Sequence, residues 1–175
     1  MDDLGPSLQV KELLRALDRH GVEFMVIGGV AGLAHGSSYP TYDLDVIYTR
    51  EASNLERLAA ALIEIGVSLR GAPADLPFTP DARTLENGAN FTFDTEWGSL
   101  DILADAGMRD YDSMRADARL DSIEGVAVRI VSLDDLIAMK RAANRPKDRL
   151  MVEEYIVLAD EQKRLAREEK ERGES

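Results

Sequence analysis

The chain contains no cysteine among its 175 residues. That excludes a disulfide framework, a thiolate metal site and a thiol nucleophile. No apolar run approaches the ~18 residues that a membrane-spanning helix needs. The N-terminus, MDDLGPSLQV, is acidic and lacks the basic and apolar regions of a signal peptide. These absences predict a cytoplasmic protein with no membrane partner. Histidine is scarce too, with two copies. No HExxH, Walker lysine pattern or convincing Ser-His-Asp set is visible, although geometry rather than sequence decides the last. His35 reads as a structural residue near a turn or as a ligand contact. Trp97, the one tryptophan, reads as a hairpin or core residue or as a base-stacking surface.

Positive charge is short as well. Lys and Arg number 21 against 33 Asp and Glu, for a net charge of -12. Phosphates repel such a chain, so any nucleic-acid partner must be held at a localised site with bound cations helping.

What is present is an ordinary globular composition, 45% hydrophobic and 31% charged, at a length that suits one domain with a real core. Residues 1–160 are expected to form that domain, its C-terminal helices included. Residues 161–175, EQKRLAREEKERGES, are expected to be a charged helical tail, either a solvated end that frays or a binding arm.

Val10, Leu13, Leu14 and Leu17 fall at helical spacing before Gly21, which predicts a helix over about 7–20. EFMVIGG predicts a buried strand, and VAGLAHG a short helix closed by glycine. DLDVIYT predicts the next strand. Ser53 and Glu56 suggest a capping box for a helix ending at Gly66. The stretch 71–88 reads mostly as loop, with Thr79-Pro80 able to cap a short helix. ANFTFDT and GSLDILA around Glu96-Trp97-Gly98 predict a hairpin. A short helix over 111–118, a strand over 126–131, a helix over 133–143 capped by Ser132, and a last helix from about Asp148 complete the order. The class is α/β (α+β), with a mixed sheet of about four to five strands and helices packed against it.

The chemistry concentrates in a few residues. Asp43 and Asp45 are two apart on a predicted strand, so both carboxylates share one face while Leu44 and Val46 point into the core. Paired carboxylates repel unless a cation sits between them. Such hard oxygen ligands suit Mg²⁺ or Mn²⁺ rather than zinc. The same spacing also occurs on the exposed face of an edge strand, and the pattern alone leaves both readings open. Asp101, in GSLDIL, points opposite to Leu100 and Ile102; a third carboxylate from an adjacent strand would complete a two-metal cradle. Gly28-Gly29 lies at a strand-to-helix turn, where backbone N–H groups can hold phosphate and glycine allows close approach. Arg145, Lys147 and Asp148 form a polar cluster, in which Asp148 either orients a lysine, Lys140 or Lys147, or caps the last helix. Lys140, Arg141, Arg145, Lys147 and Arg149 form a basic strip.

The run FMVIGGVAGLAHG…TYDLDVIY, then GSLDIL, then VRIVSLDDLIAMKRAANRPKD resembles the DNA polymerase β-like nucleotidyltransferase superfamily over roughly residues 20–160. Within it the likeness is to the AbiEii-type and MenT-type toxin proteins and their relatives. The resemblance implies the nucleotidyltransferase fold and transfer of an NMP from an NTP donor, ATP included, to a hydroxyl acceptor. Gly28-Gly29 would cradle the triphosphate. Asp43, Asp45 and Asp101 would be the metal ligands, for Mg²⁺ with Mn²⁺ as substitute, and Asp101 would help deprotonate the acceptor. Lys140 is similar to a lysine that reaches the triphosphate, and Arg145, Lys147 and Asp148 join the expected nucleotide site. The toxin likeness favours the 3′ end of tRNA as acceptor and a cognate antitoxin as partner; a protein side chain or a small molecule are the other acceptors. The chain departs from the pattern in two places. Many members carry serine where Gly29 stands, so that phosphate contact would fall to backbone, Ser37 or Ser38. Many also carry an arginine shortly before the Asp-x-Asp, where this chain has Tyr39-Pro40. Both losses fit an alternative reading, a weakly catalytic or non-catalytic interaction partner with the same fold.

Overall fold

Leu13, Leu14 and Leu17 are fully buried on one side of α1 (Val10–Arg19), which is what their spacing demands. Gly21 follows it in the left-handed region, φ 66°. This computed structural model describes residues 6–73, 75–105, 107 and 109–173. Outside the described residues lie 1–5 of the acidic N-terminal stretch, residue 74 of the proline-containing loop, 106, 108, and 174–175 of the charged tail.

The chain continues through β1 (Phe24–Ile27), α2 (Gly28–Ala34), β2 (Asp43–Tyr48) and α3 (Ala52–Ile65). Then come β3 (Ser68–Leu69), α4 (Ala82–Asn87), the hairpin β4 (Asn90–Thr95) and β5 (Gly98–Leu103), and α5 (Tyr111–Asp117). A second hairpin, β6 (Arg119–Ile123) and β7 (Val126–Ile130), leads to α6 (Leu133–Ala143) and α7 (Pro146–Gly173). Among the described residues no helix is long and apolar enough to cross a membrane.

The strands form one mixed sheet in the order β3-β4-β5-β2-β1-β7-β6. β2 is antiparallel to β1 and parallel to β5, and β1 is parallel to β7. The mixed α+β class matches expectation, but the sheet has seven strands rather than four to five. The two additional strands are its edges. β3 is two residues long and too short to show a period. β6, RLDSI, has no buried face, and Leu120 on it is exposed, so apolar alternation gives no sign of it. Its hairpin turns on Glu124 and Gly125, both at positive φ. Such a two-residue turn is signalled by Asn-Gly or Asp-Gly far more strongly than by Glu-Gly.

α2 starts at Gly28 rather than Val30, and two helix caps differ from expectation. α3 begins at Ala52 with Glu51 at its N-cap, so Ser53 sits inside the helix and the Ser53–Glu56 capping box does not form. α4 is capped by Asp81, whose carboxylate accepts from Thr84 N at 2.7 Å, and not by Thr79. Ser132 caps α6 as expected, accepting from Asp135 N at 3.1 Å. The charged stretch 161–173 is continuous with α7 and mostly exposed.

The core lines the strand faces opposite the acids. Leu44 and Val46 on β2 and Leu100 and Ile102 on β5 have no exposed surface. They belong to one apolar cluster with α1 and with Leu55, Leu58 and Leu62 of α3. On the second face of the same two strands Asp43, Asp45, Ser99 and Asp101 stand together, with Ile47 and Leu103 beyond them. His35 is a structural residue here: its ring Nε2 sits 2.8 Å from the Val131 carbonyl, holding α2 to the end of β7. Trp97 occupies the β4–β5 turn and packs on the core edge, where its carbonyl accepts from Gln9 N.

Candidate active site

The parallel register of β2 and β5 sets Asp45 opposite Asp101 and Asp43 opposite Ser99. Residues in register on neighbouring strands point to one face. All three carboxylates are partly buried, and one oxygen from each lies within 4.8 Å of the others. Proximity has an electrostatic consequence. Burial first, then the negative charges of Asp43 and Asp101, raise Asp45 to a pKa of about 7. Asp101 is also raised, chiefly by burial, against the pull of a bonded arginine.

That arginine is Arg70, which sequence reasoning did not single out. Its Nη2 donates to Asp101 Oδ1 at 2.6 Å. It stands in an irregular stretch just before Gly71, and only the pairing of β3 with β4 brings it to the acids.

The strand-to-helix turn lies directly against the carboxylates. Gly28 has φ 65°, and a Cβ there would collide with the Asp45 carboxylate. A Cβ on Gly29 would lie 2.5 Å from Thr41 Oγ1. The hydroxyl near residue 29 is thus supplied by Thr41, which donates to the Asp43 carbonyl at 3.1 Å and lies 3.2 Å from Asp43 Oδ1. Ser37 and Ser38 are engaged elsewhere. Their hydroxyls donate to Glu154 of α7 at 2.6 and 2.7 Å, and neither residue lines the cavity described next. The expectation that one of them stands in for a hydroxyl at position 29 has no support in this placement.

A cavity of about 730 Å³ opens over the acids. Gly28, Gly29, Asp43, Asp45 and Asp101 line one part of it, and Lys140, Arg145 and Lys147 another. Tyr42, 80% exposed, stands at its edge. The two alternatives for Asp148 both hold. It is the third residue of α7 and accepts from the backbone N–H of Arg145 at 3.2 Å, a capping interaction that reaches back from inside the helix. It also accepts from Lys140 Nζ at 3.1 Å and Arg145 Nε at 2.7 Å. Burial works against its charge, but these bonds outweigh it and hold the carboxyl below its ordinary value. The basic strip is split: Arg141 faces a groove between α6 and α7 with Asp134 and Lys163, and Arg149 bonds Asn144.

No protein-family model matches the chain, and no curated protein does. Solved structures do. The chain is similar to the lincosamide antibiotic adenylyltransferase LnuA bound to lincomycin, at 14% identity over 87% of this chain and 99% of that one, TM-score 0.56. It is similar to the antibiotic-resistance factor ANT(2″)-Ia in solution, at 18% identity over 95% and 96%, TM-score 0.52. A crystal structure of ANT(2″)-Ia with adenylyl-2″-tobramycin matches at 16% identity over 86% and 92%, TM-score 0.52.

The chain has the nucleotidyltransferase fold.

Identities this low speak for architecture and leave the chemistry to the site itself. In this nucleotidyltransferase fold, three carboxylates from two paired strands face a cavity whose cationic side chains come from α6, from Arg145 just before α7 and from the first turn of α7. The donor set is all oxygen, and Asp45 carries a raised pKa because it is buried and because the charges of Asp43 and Asp101 crowd it. A divalent cation among these oxygens would offset the crowded negative charge, so the residues fit a hard divalent cation.

Proposed function

We propose that the protein is a divalent-metal-dependent nucleotidyltransferase, moving an NMP from an NTP to a hydroxyl acceptor in the cytoplasm. One observation carries the reading: the gathered oxygens of Asp43, Asp45 and Asp101 share a cavity with Lys140 and Arg145. Carboxylates alone would repel a triphosphate. Carboxylates able to hold cations, faced by fixed cations, suit one.

Asp43, Asp45 and Asp101 would hold Mg²⁺, which when bound supplies charge neutralisation at the attacking and leaving oxygens. The N-terminus of α2 at Gly28-Gly29 offers backbone N–H groups to the triphosphate, with no side chain between. Lys140, steadied by Asp148, meets the phosphates on the other side, and Arg145 and Lys147 extend that positive surface. The acceptor oxygen attacks the α-phosphorus as the bond to pyrophosphate breaks. Asp101 takes the acceptor's proton, and pyrophosphate leaves with the bonding electrons.

The acceptor to test first is the 3′ end of tRNA, which the toxin likeness favours, with a cognate antitoxin as the corresponding protein partner. The cationic support for tRNA is local, limited to Lys140, Arg145 and Lys147 at the cavity. A small hydroxylated molecule such as an aminoglycoside asks less of a chain with a net charge of -12. Incubation with each labelled NTP, Mg²⁺ and either total tRNA or an aminoglycoside panel, beside Asp45→Ala, separates them. Label on tRNA with the wild type alone supports the first acceptor, and label on the small molecule redirects it. No label in any pool favours the alternative of a non-catalytic interaction partner.

A further inference from the structure

Four positions lie in one row across the sheet. Asp45 of β2 pairs with Asp101 of β5, and Asp101 with Thr92 of β4. Just beyond β3, Arg70 N donates to the Thr92 carbonyl at 2.9 Å, extending the row by one strand. Arg70 therefore stands beside the carboxylates on their own face, and its side chain spans the β4 position to reach Asp101.

Its guanidinium is held at three points. Nη2 donates to Asp101 Oδ1 at 2.6 Å and to the Phe93 carbonyl at 3.0 Å, while Nε donates to Asp94 Oδ1 at 3.2 Å. An exposed ion pair between two freely rotating side chains contributes little. Here one partner is a planar fork fixed on a backbone carbonyl and a second carboxylate, so Asp101 bonds to a stationary donor. Asp101 is also only 17% exposed. Arg70 does not line the cavity, so it meets Asp101 from outside that space.

We infer that Arg70 is a positioning residue for the proposed reaction. It holds one oxygen of Asp101 so that the carboxylate is oriented to share a cation with Asp43 and Asp45. The inference rests on the nucleotidyltransferase reading for its functional consequence, and its structural core is metal binding. The two simplest roles for Arg70 predict opposite signs. If it is only a counter-ion, removing it leaves more net negative charge and tightens metal binding. If it positions Asp101, removing it loosens metal binding.

The test uses the full chain and Mn²⁺, followed by calorimetry or by the electron paramagnetic resonance of free Mn²⁺. Loss of a residue that orients a metal ligand typically costs about 10- to 100-fold in affinity or activity. Arg70→Ala is expected to weaken Mn²⁺ binding within that range, with guanidinium chloride at low millimolar concentration restoring part of it. Asp94→Ala, which removes an anchor of the guanidinium away from the carboxylate triad, is expected to give a smaller loss of the same sign. In the transfer assay, Arg70→Ala should lower kcat while KM for the NTP changes by less than about 3-fold. Tighter or unchanged Mn²⁺ binding in a folded Arg70→Ala protein overturns the inference, and so does a wild type that binds no Mn²⁺. Loss that guanidinium does not reverse, together with a lowered Tm in both variants, assigns Arg70 a role in folding and also overturns it. A wild type that binds Mn²⁺ but transfers no nucleotide sinks the proposed function and leaves the positioning role standing.

Discussion

Lys140 and Asp148 are eight residues apart in sequence and joined by an ion pair of 3.1 Å, with Asp148 1% exposed and its lysine lining the cavity. A carboxylate so deeply placed is tolerable because four donors from Lys140 and Arg145 surround it. It fixes the direction of Lys140 and the start of α7 at once.

Removing that carboxylate leaves Lys140 at the cavity wall without its anchor and the start of α7 without its cap. Asp148→Ala should cost about 3 kcal/mol, the range seen when one member of a buried pair is lost. Urea denaturation measures it. Because the folded pKa of Asp148 is depressed, its contribution is present above its ordinary pKa and is lost as the pH falls through the lower folded value. The acid limb of the wild-type stability curve should flatten in Asp148→Ala. An unchanged midpoint would show that the pair adds nothing net.

Asp45 predicts the opposite sign. Its folded pKa is raised from 3.8 to about 7, so the native state keeps a proton that the unfolded chain has released. Stability of the metal-free protein should therefore fall as pH rises from about 4 to 7 and level off above. Metal binding must displace that proton, so Mn²⁺ affinity should rise over the same interval and flatten beyond pH 7. Thermal unfolding at pH 5.5 and 8, with and without Mn²⁺, checks both. Asp45→Asn should raise the Tm of the metal-free protein at pH 8 and remove most of its slope. An equally steep slope in that variant would place the titration elsewhere.

The contact between Gly29 and Thr41 is a packing constraint that can be isolated. A methyl at position 29 would sit 2.5 Å from Thr41 Oγ1, so Gly29→Ala should destabilise by about 1–3 kcal/mol, as overpacking does. Thr41→Ala should relieve much of this, with a coupling of at least about 0.5 kcal/mol between the two substitutions. Additive effects in a denaturation double-mutant cycle would mean the two side chains do not compete for that space.

Much of the arrangement was legible because it follows from short periods. Alternation over Asp43–Val46 and Leu100–Ile102 put the acids on one face, and the β2–β5 register then joined them. The glycine turn and the α6 helix with its Ser132 cap were readable for the same local reasons. What was missed depends on pairings distant in sequence. Arg70 reaches Asp101 only through a two-residue edge strand, which no period reveals. Thr41 stands beside Gly29, while Ser37 and Ser38, equally plausible hydroxyls in sequence, are captured by Glu154 more than 100 residues later. In sequence, Asp148 reads as either a cap or a lysine partner. It is both, because the third residue of a helix can reach back to the N-cap while its second oxygen faces the preceding helix.

In the proposed function Asp43, Asp45 and Asp101 act as one metal-dependent centre for NMP transfer. Its most direct measurement is the release of labelled pyrophosphate from γ-labelled NTP with acceptor present, as Mg²⁺ is titrated, for the wild type and for Asp45→Ala and Asp101→Ala. Mg²⁺-dependent release coupled one-to-one to acceptor labelling is expected in the wild type, with a loss of at least about 100-fold in each variant. Release that persists without divalent metal, or that survives in Asp45→Ala, would contradict it.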